Sequence, residues 1–210
     1  MHSMWSGDCT STPDELAEAV RRSGIDVLCV TDHNTLTGAL RFAESGELDC
    51  RIVIGEELRT GAGEIIGLFL SDHLPFGLSP VEAVTRIRDQ GGIVYIPHPF
   101  DPVRNCLNED VLRGLAADGG VDAVEVFNAK TSLQSLNQKA ADFAAEFGLL
   151  RGGGSDAHVP GALGCAYAEL PDFTDADSFR EALGAAVVHG RHYDEPRPWR
   201  PRIVPSTKTS

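Results

Sequence analysis

Short apolar runs that each stop at a cluster of ionisable residues recur along this chain, and that pattern narrows the possible folds most. Asp26-Val27-Leu28-Cys29-Val30-Thr31 is almost continuously apolar and ends at Asp32-His33-Asn34. Arg51-Ile52-Val53-Ile54 runs into Gly55-Glu56-Glu57, and Ile93-Val94-Tyr95-Ile96 runs into Pro97-His98. Ala123-Val124-Glu125-Val126-Phe127 stops at Asn128, and Leu149-Leu150 leads through Gly152-Gly153-Gly154 to Ser155-Asp156-Ala157-His158. Glu64-Ile65-Ile66-Gly67-Leu68-Phe69-Leu70 is a further run. Runs without period-two alternation are the mark of strands buried on both faces, as in parallel sheets.

Helices fit between these runs. Thr12-Pro13-Asp14-Glu15 combines a capping box with proline at the first helical position; Leu16, Ala19 and Val20 give one apolar face, and Gly24 stops the turn. Further helices are expected over Leu36 to Ser45, from a Ser79 cap to Gln90, over Asn108 to Ala117, over Leu133 to Phe147, and, after a last strand at Ala166 to Leu170, over Asp175 to Val188. Alternating strands and helices imply right-handed βαβ units with six or seven parallel strands. The ionisable residues then fall at the C-terminal strand ends, the face where barrels of this kind place their sites. The expectation is one α/β barrel domain over 1–193 and a Pro/Arg-rich disordered tail over 194–210.

Charge restricts the partners. Lys+Arg 18 against Asp+Glu 31 gives a formal net charge of −13, so stable binding to duplex DNA is not expected. A small phosphorylated substrate or a nucleic-acid end stays open, because bound metal ions reverse the sign of charge inside a cleft. No apolar run reaches membrane-spanning length and no basic-then-apolar leader opens the chain, so no membrane partner is expected. Five cysteines without a CxxC fit a reducing cytoplasm.

The strand-end clusters carry the chemistry. Asp156 and His158 are two apart, so in an extended segment both point the same way. Asp32 and His33 are adjacent and point apart; His33 is read as a ligand and Asp32 as a carboxylate behind it, orienting an imidazole. The opening Met1-His2-Ser3-Met4-Trp5-Ser6-Gly7-Asp8 adds a His and an Asp. Glu57 is placed to bridge metal ions. A lone strand-end His also reads as a capping residue, but equivalent positions in several runs favour one shared pocket. Imidazole and carboxylate together suit zinc, manganese or iron. His73, His189 and His192 have no such position. The glycine run lacks both phosphate-loop spacings, Ser6 has no nucleophile partners by spacing, and Trp5 reads as packing.

These residues, in this order, resemble the PHP (polymerase and histidinol phosphatase) superfamily over about Met1 to Leu183, and within it the small stand-alone phosphoesterases. The resemblance implies a distorted (β/α)7 TIM-like barrel holding two or three divalent ions (Mn, Zn or Fe). Its ligands here would be His2, Asp8, His33, Glu57, His98, Asp156 and His158. By analogy His2, Glu57 and Asp156 share one ion, Glu57 and His98 a second, and Asp8, His33 and His158 a third. The family's first motif is HxH; its first His and its strand would fall before Met1. The first strand is therefore expected to be missing, and an upstream translation start is the expected reason. Asn128 and Glu64 stand where relatives often place other ligands, and their role is open. Asp32 and Arg104 are the catalytic candidates; Arg104 and Lys130 are candidates to bind the substrate phosphate, although each reads equally as a solvated loop cation. The implied function is hydrolysis of a phosphate ester by a metal-activated water, on a nucleotide, an oligonucleotide 5′ end (as in 5′-3′ exonucleases) or a small phosphomonoester. The alternatives are an amide or ester hydrolase and a degenerate PHP domain that binds without catalysis.

Overall fold

The computed structural model describes residues 1–193; the expected tail, 194–210, lies outside the described residues. The helix signals act as expected. In α1, Pro13–Ser23, the Thr12 side chain accepts from the Glu15 amide, Glu15 reaches back to the Thr12 backbone, and Gly24 closes the helix at φ 68. Leu16, Ala17, Ala19 and Val20 form its buried stripe. Ser79 and Glu82 make the same reciprocal cap on α3, Pro80–Asp89, and Asn108 caps α4, Glu109–Ala117. The remaining helices are α2, Thr37–Ser45, α5, Gln134–Phe147, and α6, Ala176–Gly184.

Six strands form one curled sheet, a half-barrel, in the order β1-β2-β3-β4-β5-β6. They are β1 (Val27–Val30), β2 (Arg51–Thr60), β3 (Gly63–Leu68), β4 (Ile93–Ile96), β5 (Ala123–Asn128) and β6 (Leu150–Gly154). β1 with β2, β4 with β5 and β5 with β6 are parallel. β3 runs against both β2 and β4, which departs from the all-parallel expectation. Only Gly61 and Ala62 separate Thr60 from Gly63, and two residues make a hairpin, not the crossover a parallel pair needs. β2 is also longer than expected, so Glu57 sits inside a strand and not at its end. A second correction concerns the C-terminal part. The expected helix over 175–188 stops at Gly184, and Val187–Gly190 is a strand, β8. β-Branched Val187 and Val188 favour that conformation. β8 pairs antiparallel with β7 (Ala166–Glu169) as a separate ribbon, so neither belongs to the main sheet.

The core of the half-barrel joins Leu58, Ile65, Ile87, Val94, Ile96, Leu112, Val124 and Phe143, all buried. Between the two outer strands, Met1 bonds to β1 in parallel fashion: its amino group donates to Cys29 O (3.1 Å) and its carbonyl accepts from Thr31 N (2.9 Å). On the other side His2 N donates to Ala157 O (2.9 Å). Behind this bridge a cavity of about 760 Å³ is lined by Val27, Leu28 and Cys29 of β1 and by Gly152, Gly153 and Gly154 of β6. Among the described residues no strand occupies it. No helix of the described residues is long and apolar enough to cross a membrane.

Candidate metal centre

Glu57 is the hub of the site. Its Oε2 lies 3.0 Å from His2 Nε2 and 3.9 Å from His33 Nδ1, and its Oε1 lies 3.1 Å from His98 Nε2. His2 Nε2 is also 3.4 Å from Asp156 Oδ1. Beside this group, Asp8 Oδ2 lies 3.4 Å from His33 Nε2 and 3.2 Å from His158 Nε2. The His2 ring sits between those of His33 and His158, at centroid distances of 4.5 and 4.2 Å. The structure thus gathers His2, Asp8, His33, Glu57, His98, Asp156 and His158 into one pocket at one end of the sheet. His2 and Glu57 are each 2% exposed, whereas the Asp8 side chain, 35% exposed, marks the mouth.

Local backbone geometry explains how short loops deliver these side chains. An isolated parallel bridge from His33 to Glu57 extends the β1–β2 pairing past β1, so His33 stays beside the hub. His98 (φ 32) and Asp156 (φ 45) lie in the left-handed region, sparsely populated for residues with a Cβ. Such strain persists only where the surroundings hold it. For His98 the restraint is Glu125, buried, whose Oε2 accepts from His98 N at 2.7 Å. His158 Nδ1 lies 2.8 Å from Asp156 O, so a proton there bonds the carbonyl and leaves the lone pair of Nε2, 3.2 Å from Asp8 Oδ2, available to a metal ion.

Several candidates sit differently from the sequence expectation. Asp32 contacts no imidazole. It is 0% exposed; its Oδ1 accepts from Ser3 N and its Oδ2 from Ser3 Oγ, both at 2.6 Å. It therefore anchors the N-terminal loop that carries His2, where the sequence expectation had it orienting an imidazole. Asn128 is likewise committed elsewhere: its Nδ2 donates to Glu125 Oε2 and its Oδ1 accepts from Lys130 N. Glu64, by contrast, faces the pocket, 3.6 Å from His33 Nδ1 and 3.5 Å from His98 Nε2. Arg59 carries no signal in the sequence pattern. It stands two residues after Glu57 on β2, on the same strand face, and its Nε donates to Glu64, its cross-strand neighbour, at 2.9 Å. Arg104 reaches Asp156 Oδ2 at 3.5 Å, and Lys130 Nζ lies 3.8 Å from the same atom. His73 lies outside the pocket and pairs with buried Glu56. The glycine run is a packing feature: a Cβ at Gly154 would overlap Glu125 Oε1, and one at Gly152 would overlap the Tyr95 ring. Trp5 packs edge-on against Phe42.

The electrostatics ask for concentrated positive charge. Burial pushes the carboxyls of Glu57, Asp156 and Asp8 up, but bonds and charges from the surrounding histidines outweigh it and hold all three well below the usual range. Burial pushes His98 down, yet its bond to Glu57 and the nearby carboxylates overcome this and raise it to about 9. His33 and His158 are raised on the same balance. Burial and the charge of Glu57 push Glu64 up. Protons drawn onto imidazoles are one source of the missing charge; divalent cations are a stronger one.

The donor set fits such ions. His33 Nδ1 and His98 Nδ1 are buried without a hydrogen-bond partner, an expensive state for a polar atom. One ligand atom from each of His2, Asp8, His33 and His158 lies within 4.8 Å of the others, and the same holds for His33, Glu57 and Glu64. Mixed imidazole and carboxylate donors match zinc, manganese or iron, and a shared carboxylate is how neighbouring ions are held close.

Comparisons with known proteins place the chain in a family. The family model described as PHP domain matches residues 1–144, and the one described as PHP-associated matches residues 134–188. An uncharacterized protein of Methanocaldococcus jannaschii is 35% identical over 176 residues, covering 82% of this chain and 69% of its own. A second uncharacterized protein of that organism is 39% identical over 123 residues, covering 58% and 69%. Among solved structures, a two-domain protein of Bacteroides vulgatus containing a predicted PHP-like metal-dependent phosphoesterase superposes with a TM-score of 0.70 at 20% identity. That match covers 91% of this chain, which spans 63% of the Bacteroides protein. With the matched models covering the half-barrel and its histidine-carboxylate pocket, the chain belongs to the PHP superfamily.

Proposed function

We propose that this protein is a metal-dependent phosphoesterase that releases phosphate from a nucleotide, an oligonucleotide 5′ end or a small phosphomonoester. The observation that carries the reading is the placement of two cations, Arg104 and Lys130, over Asp156 at the edge of the ligand cluster. A carboxylate-rich pocket in a chain of net charge −13 otherwise repels a phosphate. His2, Asp8, His33, Glu57, His98, Asp156 and His158 would hold two or three divalent ions, with Glu64 as an additional ligand. When bound, such ions supply Lewis acidity toward the phosphoryl group and lower the pKa of water to the neutral range.

The chain's own residues do the rest. Arg104 offers a planar fork to two phosphoryl oxygens, and Lys130 adds a point charge beside it. Both would stabilise the charge that builds on those oxygens as the ester bond breaks. Burial of the histidines keeps bulk water from competing. Arg59, half-exposed beside Asp8 and Glu64, flanks the mouth and favours an anionic substrate.

The test is phosphate release in Mn²⁺ by wild type and by His33→Ala and Asp156→Ala. The proposal expects both variants to lose activity, with chelation abolishing it in wild type; activity unchanged in both variants refutes it. A second reading, binding without catalysis, is supported by Asn128, whose amide is committed to Glu125 and Lys130. A panel of phosphate, ester and amide substrates separates the readings. Turnover of none by metal-loaded protein favours binding alone, and turnover of acyl substrates only favours an amide or ester hydrolase.

A further inference from the structure

The two cations over Asp156 belong to separate loops, and one buried carboxylate ties those loops together. Arg104 follows β4, on the loop from Pro97 onward; Lys130 follows β5. Asp101, three residues before Arg104 on the same loop, is 0% exposed. Its Oδ1 accepts from Val103 N (3.0 Å) and Ser132 Oγ (2.7 Å). Its Oδ2 accepts from Ser132 N (2.8 Å) and Thr131 Oγ1 (3.3 Å). Each oxygen thus bonds to the Lys130 loop, and Oδ1 also holds the loop of Arg104. The Asp101 carbonyl accepts from Arg104 N at 3.0 Å, and Arg104 closes the circuit by donating to Lys130 O at 3.1 Å. Burial pushes the Asp101 carboxyl up, but the bonds from Ser132 and Val103 outweigh it and hold it below the usual range.

This arrangement is more than a surface loop needs. Phe100 and Ala129 root the two loops in apolar clusters, but Val103 and Leu133, next to the knot, are 75% and 61% exposed, so apolar packing ends short of the cations. Asn128 and Gly154 hold the base of the Lys130 loop, and the Asp101 carboxylate with the Arg104–Lys130 contact joins that loop to the one carrying Arg104. A phosphoryl group gripped from two loops requires the spacing of the two cations to be set in advance, because a misplacement of about 1 Å costs on the order of a hundredfold in a positioned reaction.

We propose that Asp101 is a positioning residue that presets Arg104 and Lys130 as one two-pronged phosphate clamp. The proposal rests on the reading of those two cations as the phosphate-binding groups. Asp101 touches neither substrate nor ligand cluster; it acts through the two loops.

The test uses full-length, Mn²⁺-loaded protein and inorganic phosphate as the probe, read by calorimetry, with hydrogen exchange at the Val103 and Ser132 amides as an independent readout. Asp101→Asn keeps the volume but turns an NH₂ group against one set of donors, whichever way the amide lies. It should weaken phosphate binding about tenfold and speed exchange at one or both amides. Mn²⁺ affinity should stay within about twofold. Ser132→Ala, which removes one bond only, should fold normally and shift phosphate binding in the same direction by less. In an Arg104→Ala/Lys130→Ala background the effect of Asp101→Asn on phosphate should vanish, which a general loss of structure would not produce. The proposal is overturned if both single variants bind phosphate as wild type does, or if Asp101→Asn costs the same in the double background. If wild type itself binds no phosphate, the cation reading fails and takes the clamp with it. Wild-type binding that depends on Arg104 and Lys130 but not on Asp101 overturns the positioning role alone.

Discussion

Asp32→Ala separates a structural carboxylate from a chemical one. The side chain is 0% exposed and accepts two bonds from Ser3 at 2.6 Å. Hydrogen bonds to a charged group contribute about 1.5–3 kcal/mol each. Truncation also strands the Ser3 amide and hydroxyl, while a water entering the space recovers part of the loss. The expected cost is about 3–4 kcal/mol, a large share of the about 5–15 kcal/mol that holds a typical domain. Urea unfolding should show a lower midpoint with an unchanged slope, and the melting temperature should fall by about 10 °C for a chain of this size. Asp32→Asn should cost only about 1–2 kcal/mol, because its amide oxygen still accepts from the Ser3 backbone and its NH₂ can donate to the Ser3 hydroxyl. If Asp32→Ala leaves stability within about 0.5 kcal/mol of wild type while phosphate release disappears, the anchoring account is wrong and Asp32 takes part in the chemistry.

Gly154→Ala should destabilise by about 1–3 kcal/mol through overlap with Glu125; a melting curve matching wild type refutes the close-packing account. Burial pushes the Cys29 and Cys50 thiols up to about 11 from an ordinary 9.0. The unfolded chain therefore loses these protons first, and stability should decline as pH rises from 9 through 11, read by denaturant titration at constant salt; a flat profile would contradict it. A designed extension of about four alternating apolar residues ahead of Met1 should continue its parallel pairing along β1 into the 760 Å³ cavity. It should protect the amides of Val27–Val30 from exchange and raise the melting temperature; no change in either would mean the gap is not strand-shaped.

The parts of this molecule legible in sequence were those encoded locally. Capping boxes at Thr12 and Ser79 need only residues three apart, and both helices start where expected. The ligand cluster was legible because parallel strands deliver their ends to one place, so His33, His98, Asp156 and His158 could be assigned to a common face before their distances were known. What escaped depended on pairing across the chain. The Ser3–Asp32 bond joins residues 29 apart, and nothing near Asp32 says that its partner is a serine loop and not an imidazole. Arg59 and Glu64 meet through a hairpin register that only the antiparallel pairing of β2 with β3 creates. The ribbon of β7 and β8 is masked in sequence by the strong helical signal of Asp175 to Gly184, which runs directly up to Val187 and Val188.

The central claim is that histidines and carboxylates converge on Glu57 to hold neighbouring divalent ions. Metal stoichiometry by mass spectrometry, on protein loaded with Mn²⁺ or Zn²⁺ and then exhaustively dialysed, tests it most directly in wild type and Glu57→Ala. The account predicts about two or more ions per chain in wild type and fewer than about one in the variant, since the shared carboxylate is the link between sites. Wild-type protein that retains no stoichiometric ion, or a variant that retains as many as wild type, would contradict it.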